Sequence, residues 1–256
     1  MEETKQSYTP ISVVMIVKDE MRVIRECLEA VLWADEIVVL DTGSADDTPL
    51  VCKEMGAKVY YADTWNGFGK ARRDAVSLAG NDWVFSLDAD EFVSPLLQEE
   101  IKKLRVKGFE YAAYRLQVKS YYLGKRIDFC GWQNESHIRL FNRQRGNYNE
   151  ALVHESVKIE GELGRLKGLL HHHTYPTKEV HVAKMIRYGD LGARKLHQMG
   201  KKSSPIKAIL RSAFTFLKMY ILKMGFLDGK AGFELCKTTA WGTWYKYQQL
   251  WKLRES

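Results

Sequence analysis

The sequence predicts an α/β fold: a mostly parallel sheet flanked by helices, continued by a C-terminal helical extension. Three observations predict it. The first ninety residues repeat one unit, a short β-branched run followed by a polar break and an amphipathic stretch, which is the grammar of βαβ connections. The runs are almost uninterrupted in apolar residues, as strands covered on both faces must be. After Lys178 the pattern becomes helical and the charge changes sign. Lys178 to Ser256 holds 16 Lys and Arg against 5 Asp and Glu, a net +11 that leaves residues 1–177 at −4.

In chain order, strands are expected at 11–17, 36–40, 57–61 and 83–87, with helices near 20–33, 45–55 and 68–79 between them. Asp46 and Asp47 suit the electropositive first turn of the second helix, and Gly56 suits its end. Beyond Asp90 a helix at about 96–107 precedes strand-like segments around 110–118, 136–141, 153–159 and 166–173. The helical tail breaks at Gly200 to Pro205 and at Gly225 to Gly232. This gives a domain at 1–177, with halves at about 8–92 and 93–177, and a basic extension at 178–256.

Composition excludes several classes. With 45% hydrophobic and 28% charged residues, the 256-residue chain builds its own core and is neither disordered nor fibrous. Its 4 cysteines form no C-x-x-C pair, which disfavours a zinc ribbon or disulfide framework and fits a reduced, cytoplasmic chain. The polar N-terminus is unlike a signal peptide, and no apolar run reaches the ~20 residues that span a bilayer.

In an open α/β sheet, ligands bind beyond the carboxyl ends of the strands. Here each run leads into acid: Lys18-Asp19-Glu20, then Asp41-Thr42-Gly43-Ser44, then Asp63, then Asp88-Ala89-Asp90-Glu91. Taken singly, such carboxylates cap helices. Four at one edge point to a site. Strand alternation puts Asp88 and Asp90 on one side, where hard oxygens hold Mg²⁺ or Mn²⁺ against a diphosphate.

At these residues the chain resembles a known family. Ile11 to Glu20, Leu40 to Thr48 and Trp83 to Glu91 are similar, in order and spacing, to the successive motifs of family 2 glycosyltransferases with the GT-A fold. Trp65 to Arg73 and Gly225 to Gly229 narrow the resemblance to bacterial lipopolysaccharide inner-core β-1,4-glucosyltransferases. The resemblance implies an inverting transfer of glucose or a related hexose from a UDP-sugar donor to a lipid-linked heptose acceptor. It implies that Asp41 binds uracil or ribose, Asp88 ribose or sugar, and Asp90 the divalent cation, with Lys70 and Arg73 near the nucleotide. On an amphipathic helix such cations are more often solvated charges. Asp19 stands where many members have Asn, and either residue turns the chain. Gly67-Phe68-Gly69-Lys70 lacks the spacing and following Ser/Thr of a Walker A loop.

An inverting transfer needs a base for the acceptor hydroxyl. Val153-His154-Glu155 resembles the family's position for it, which makes Glu155 the candidate and Glu150 the second choice, with His154 as an acceptor contact. In His171-His172-His173-Thr174-Tyr175, matching to the family selects His172 as the histidine that completes the metal or diphosphate site; a shift of one residue would exchange it for a neighbour. Trp132 is read as either a sugar-stacking ring or core. His137 and Arg139 either line the acceptor side or face solvent.

In the tail, Lys207, Arg211 and Lys218 fall within about 40° of one another on a helix. The stripe suits an anionic membrane surface, which would place the chain on the inner face of the bacterial inner membrane, or solvent beside a packed helix. No nucleic-acid partner is expected. A sugar-phosphate nucleotidyltransferase is the alternative enzyme, but its glycine-rich basic loop after the first strand is missing. The alternative outside catalysis is an anionic-surface binder whose acidic strand ends are only caps.

Overall fold

The computed structural model describes residues 8–150 and 155–253. They fall into two compact units, one of residues up to 118 with 136–172, the other of 119–135 with the chain from 173 onward. The first unit opens with β1 (Ile11–Val17), α1 (Ile24–Glu29), β2 (Glu36–Asp41), α2 (Thr48–Glu54), β3 (Lys58–Tyr61), α3 (Phe68–Ser77) and β4 (Trp83–Ser86). There follow β5 (Glu91–Val93), α4 (Pro95–Lys107), β6 (Ala113–Tyr122), β7 (Lys125–Arg126), β8 (Ser136–Asn142), β9 (Gly146–Tyr148), β10 (Val157–Ile159) and β11 (Leu163–Tyr175). The division between units falls within β6 and β11.

Among the described residues the main sheet has the order β3-β2-β1-β4-β8-β6-β11-β5, with β7 beside β6. The pairs joining β1 to β4 run parallel. Beyond β4 the pairings of β8 with β4, β6 with β8 and β5 with β11 are antiparallel, so the parallel half is the half the βα rhythm announced. Alternation along β1 sends Val13 and Met15 into one core with Ile24, Leu28 and Phe85, and Val14 into another with Val38, Ala75 and Phe141. Helices therefore cover both faces, and β1 and β2 are buried almost throughout.

The helix expected at 20–33 is shorter. Asp19 adopts a left-handed φ of 56°, and the Glu20 N–H is taken by the Thr48 hydroxyl at 2.8 Å, so regular hydrogen bonding starts only at Ile24. Three short strands, β5, β7 and β9, were not anticipated. β7 returns on β6 through Leu123-Gly124, both at positive φ (51° and 73°), and Leu is not a residue from which such a turn is read. Of the strand expected at 153–159, Val157–Ile159 is seen; residues 151–154 lie outside the described residues.

The second unit holds α5 (Lys178–Gln198), α6 (Pro205–Leu217), a π-helical turn at Lys218–Leu222, a 3₁₀ turn at Gly225–Asp228 and α7 (Gly229–Lys252). The second break in the tail thus ends at Asp228, and Gly232 lies inside α7. A Cβ there would stand 2.1 Å from the Gly225 carbonyl oxygen, so only glycine allows this contact. Asp228 accepts from the N–H groups of Asp128 (2.9 Å) and Phe129 (3.0 Å), which fixes the 119–135 segment to this unit. No described helix is long and apolar enough to cross a membrane.

β11 is pinned to the start of α4. The Ser94 hydroxyl accepts from Leu97 N–H and Leu169 N–H, and Glu100 accepts from the N–H groups of Lys167 and Gly168. A Cβ on Gly168 would lie 2.3 Å from the Leu97 Cα and backbone N. Backbone does not yield as a side chain does, so Gly168→Ala is expected to destabilise by about 1–3 kcal/mol. Thermal unfolding should show a midpoint several degrees lower; an unchanged midpoint would mean that strand and helix move apart freely.

Candidate active site

The carboxyl ends of β1 and β2 are level, Val17 pairing with Asp41 and Val14 with Ser86 of β4. The loops that follow are tied together. Asp41 is buried, and its carboxylate accepts from the N–H of Gly43 (3.1 Å) and Ser44 (3.1 Å) and from the Ser44 hydroxyl (2.5 Å). Gly43 permits this turn with a φ of 100°. Across from it, the Asp19 carboxylate accepts from Ala45 N–H at 2.7 Å, and the Asp19 N–H donates to the Ser44 hydroxyl at 3.0 Å. The left-handed turn that Asp tolerates at position 19 makes that exchange possible.

At the end of β4, Asp88 is clamped between two guanidinium groups. Arg72 Nη2 reaches Oδ1 at 2.5 Å, and Arg139 Nη2 reaches Oδ2 at 2.9 Å. Arg72 also pairs with Glu155 (3.0 Å) and lies over the Tyr148 ring (5.6 Å), while Arg139 pairs with Glu91 (2.5 Å). Against the cost of burial, the charges of Arg72 and Arg139 hold the Asp88 carboxyl well below the usual carboxylate range. Glu91 is shifted upward, by burial first and then by Asp88, with Arg139 opposing.

Asp90 takes a different partner. β5 pairs with β11 in the register that puts His172 opposite Glu91. His172 Nε2 then meets Asp90 Oδ2 at 3.2 Å. Burial pulls the His172 pKa down, but the hydrogen bond to Asp90 and the charges of Asp90, Glu91 and Asp88 prevail and raise it to about 9. Glu20, after β1, feels the same field: burial and the charges of Asp90 and Asp88 push it up to about 7.

Asp90 and His172 are donor types that a divalent cation accepts. A carboxylate with an imidazole suits Mn²⁺ better than Mg²⁺, which prefers oxygen alone. Among the described residues no group of three or more His, Cys, Asp or Glu side chains is placed to hold a metal ion, so Asp90 and His172 would supply one with two ligands. Asp88, with both oxygens on arginine, does not join it. The two carboxylates of the Asp-x-Asp pair therefore serve different partners, because β4 ends at Ser86 and alternation no longer governs them.

The other anticipated residues are placed as follows. Lys70 pairs with Asp74 one turn along α3, at 2.5 Å. Arg73 donates to the Tyr148 carbonyl (3.2 Å) and approaches Glu150 (3.7 Å), whose side chain is 64% exposed. Trp132 belongs to the second unit, half-buried against Tyr175 and lining a hollow with Gln133, Glu135 and Lys223. His154 lies outside the described residues. Arg139 is buried, whereas His137 is exposed.

The residue not anticipated is Arg72. The signal was present: Phe68, Arg72, Ala75, Val76 and Ala79 share one helical face, so Arg72 is a cation set in an apolar stripe. A buried arginine there demands carboxylates, and Asp88 and Glu155 supply them.

The sequence profile described as Glycosyl transferase family 2 matches residues 12–154. An uncharacterised glycosyltransferase of Rickettsia typhi is 30% identical over 257 residues, covering 96% of this chain and 87% of the relative. The lipopolysaccharide core biosynthesis glycosyltransferase LpsC of Rhizobium meliloti is 26% identical, covering 90% of this chain and 88% of the relative. Among solved structures, S. aureus TarS 1-349 in complex with UDP-GlcNAc aligns over 92% of this chain and 80% of its own, with a TM-score of 0.48 and 14% identity. Glucosyl-3-phosphoglycerate synthase from Mycobacterium tuberculosis, in complex with Mn²⁺, UDP and glucosyl-3-phosphoglycerate, aligns over 44% of each chain, with a TM-score of 0.36 and 27% identity.

The acidic field has a consequence for stability. Because the Glu20 pKa is raised on folding from 4.5 to about 7, the folded state holds a proton that the unfolded state has released, and stability falls as pH rises through that window. Glu20→Gln should remove the dependence and raise metal-free stability at pH 8 by on the order of 2 kcal/mol, with little change at pH 4. Unfolding midpoints of both proteins in EDTA across this range provide the check; parallel curves would contradict it.

Proposed function

The chain belongs to glycosyl transferase family 2, and from that premise we propose that it is a metal-dependent, inverting hexosyltransferase. In this reading it moves glucose or a related hexose from a UDP-sugar to a lipid-linked heptose of the lipopolysaccharide inner core. The observation that carries the reading is the pairing of Asp90 with His172 beside an arginine-clamped Asp88, all beyond the carboxyl end of a parallel sheet. The similarity to a lipopolysaccharide core glycosyltransferase over most of both chains supports the acceptor class. Residues up to 177 would form the catalytic domain, with the basic extension after it directing the chain to the cytoplasmic face of the inner membrane.

Each residue has a task. Asp41, fixed by Gly43 and Ser44, faces the uracil or ribose. Asp88, held ionised by its two arginines, accepts from ribose or sugar hydroxyls. Asp90 and His172 would hold the divalent cation, which when bound would neutralise charge on the departing diphosphate. The acceptor hydroxyl oxygen bonds to the anomeric carbon on the face opposite the nucleotide as the carbon–oxygen bond to UDP breaks, and its proton passes to Glu155. Arg72 orients Glu155 through the 3.0 Å bond to Oε1. Glu150, exposed and paired only loosely with Arg73, is less constrained for that role.

Incubation with Mn²⁺, a panel of UDP-hexoses and a heptose-bearing core acceptor tests this directly, since UDP release should depend on the acceptor. Glu155→Gln keeps the shape and removes the base, so kcat should fall by roughly 10²-fold or more with the donor KM little changed. That pattern in Glu150→Gln instead would move the base to Glu150. The absence of acceptor-stimulated UDP release with every donor would reject the reading.

A further inference from the structure

Helix α6 exposes its apolar side. Ile206 (71%), Ile209 (58%), Leu210 (64%), Phe214 (58%) and Leu217 (54%) stand open, on an arc of about 140° at 100° per residue. The opposite side is anchored in the second unit, with Ala208 buried and the Ser212 hydroxyl donating to the Ala240 carbonyl of α7 at 2.8 Å. The apolar surface continues past the helix through Ile221 (51%) and Leu222 (71%). Lys207, Arg211 and Lys218 lie along one edge of the arc. The whole stretch from Leu191 to Leu227 contains eight Lys and Arg and no Asp or Glu.

We propose that this face of α6 inserts into the interfacial layer of an anionic lipid bilayer, its apolar side chains among the upper acyl carbons and its edge cations against lipid phosphates. An apolar arc flanked by long cations is the arrangement that lies in a membrane plane, because Lys and Arg stems reach from the apolar layer to the headgroups. Charge selects this occupant over a second copy of the chain, since a symmetric contact would bring the same cations against each other without a single acid on the helix. Apolar insertion is thus added to the electrostatic attraction expected from the sequence. The inference rests on the reading above only in its use, which is to keep the chain where a lipid-linked acceptor lies.

Flotation of the full chain with phosphatidylglycerol/phosphatidylethanolamine vesicles, and with phosphatidylcholine vesicles, across a salt series tests it without donor or acceptor. The wild type should bind anionic vesicles preferentially and keep part of that binding at high salt, where screening removes the electrostatic share. Leu210→Asp with Phe214→Asp should weaken binding at least ten-fold at every salt concentration; both side chains are more than half exposed, so circular dichroism and thermal midpoint should be preserved. Lys207→Gln with Arg211→Gln and Lys218→Gln should weaken binding at low salt and flatten the salt dependence. Wild-type affinity in the double Asp variant, no vesicle binding by the wild type, or a dimer in sedimentation velocity that the double Asp variant dissociates would each overturn the proposal. A chain that binds vesicles yet transfers no sugar would fail the catalytic reading alone.

Discussion

Two buried guanidinium groups hold the edge of this sheet together. Arg72 comes from α3 and Arg139 from β8, and between them they bind Asp88 after β4, Glu91 on β5 and Glu155 before β10. Four segments distant in sequence meet through one charge network. Such networks seldom add net stability, because desolvation offsets their attraction, but losing one member strands a charge at a cost of about 3–5 kcal/mol. Their effect is positional. With both oxygens fixed, Asp88 has one orientation, and Asp90, two residues further on, is delivered to His172.

The network is also out of balance. Glu20, Asp88, Asp90, Glu91 and Glu155 gather about Arg72 and Arg139, with Arg22 acting on Glu20, and the protein's own protonation responds to the carboxylate surplus, with His172 raised to about 9 and Glu20 to about 7. The same carboxylate surplus would favour a divalent cation over the proton. The proposed divalent ion would replace the proton shared by His172 and Asp90, and its charge would offset the carboxylate surplus that otherwise repels a diphosphate.

Much of this was legible in the sequence because it follows from period and position. Continuous apolar runs marked β1, β2 and β4, and the acids after them fell at one edge as parallel strands require. Less was legible where structure depends on contacts between distant segments. Arg72 and Arg73 are chemically alike, and only the helical face separates the one that turns inward to Asp88 from the one that meets Glu150. β5 has three residues, too few for a period, and exists because β11 passes beside it. In the tail the cations of α6 were visible as a stripe, whereas the exposure of its apolar arc depended on which side packs against α7. That choice is made by Ala208 and Ser212, two small residues with no pattern of their own.

In the proposed site Asp90 and His172 present one metal ion to a nucleotide diphosphate. Calorimetric titration of UDP into the full chain, in EDTA and in Mn²⁺, tests it most directly. UDP should bind in Mn²⁺ and lose at least ten-fold in affinity in EDTA, and Asp90→Ala should make binding in Mn²⁺ equal to that in EDTA. Equal UDP affinity with and without Mn²⁺ in the wild type, or a metal response that survives in Asp90→Ala, would rule out a metal ion held by Asp90 and His172.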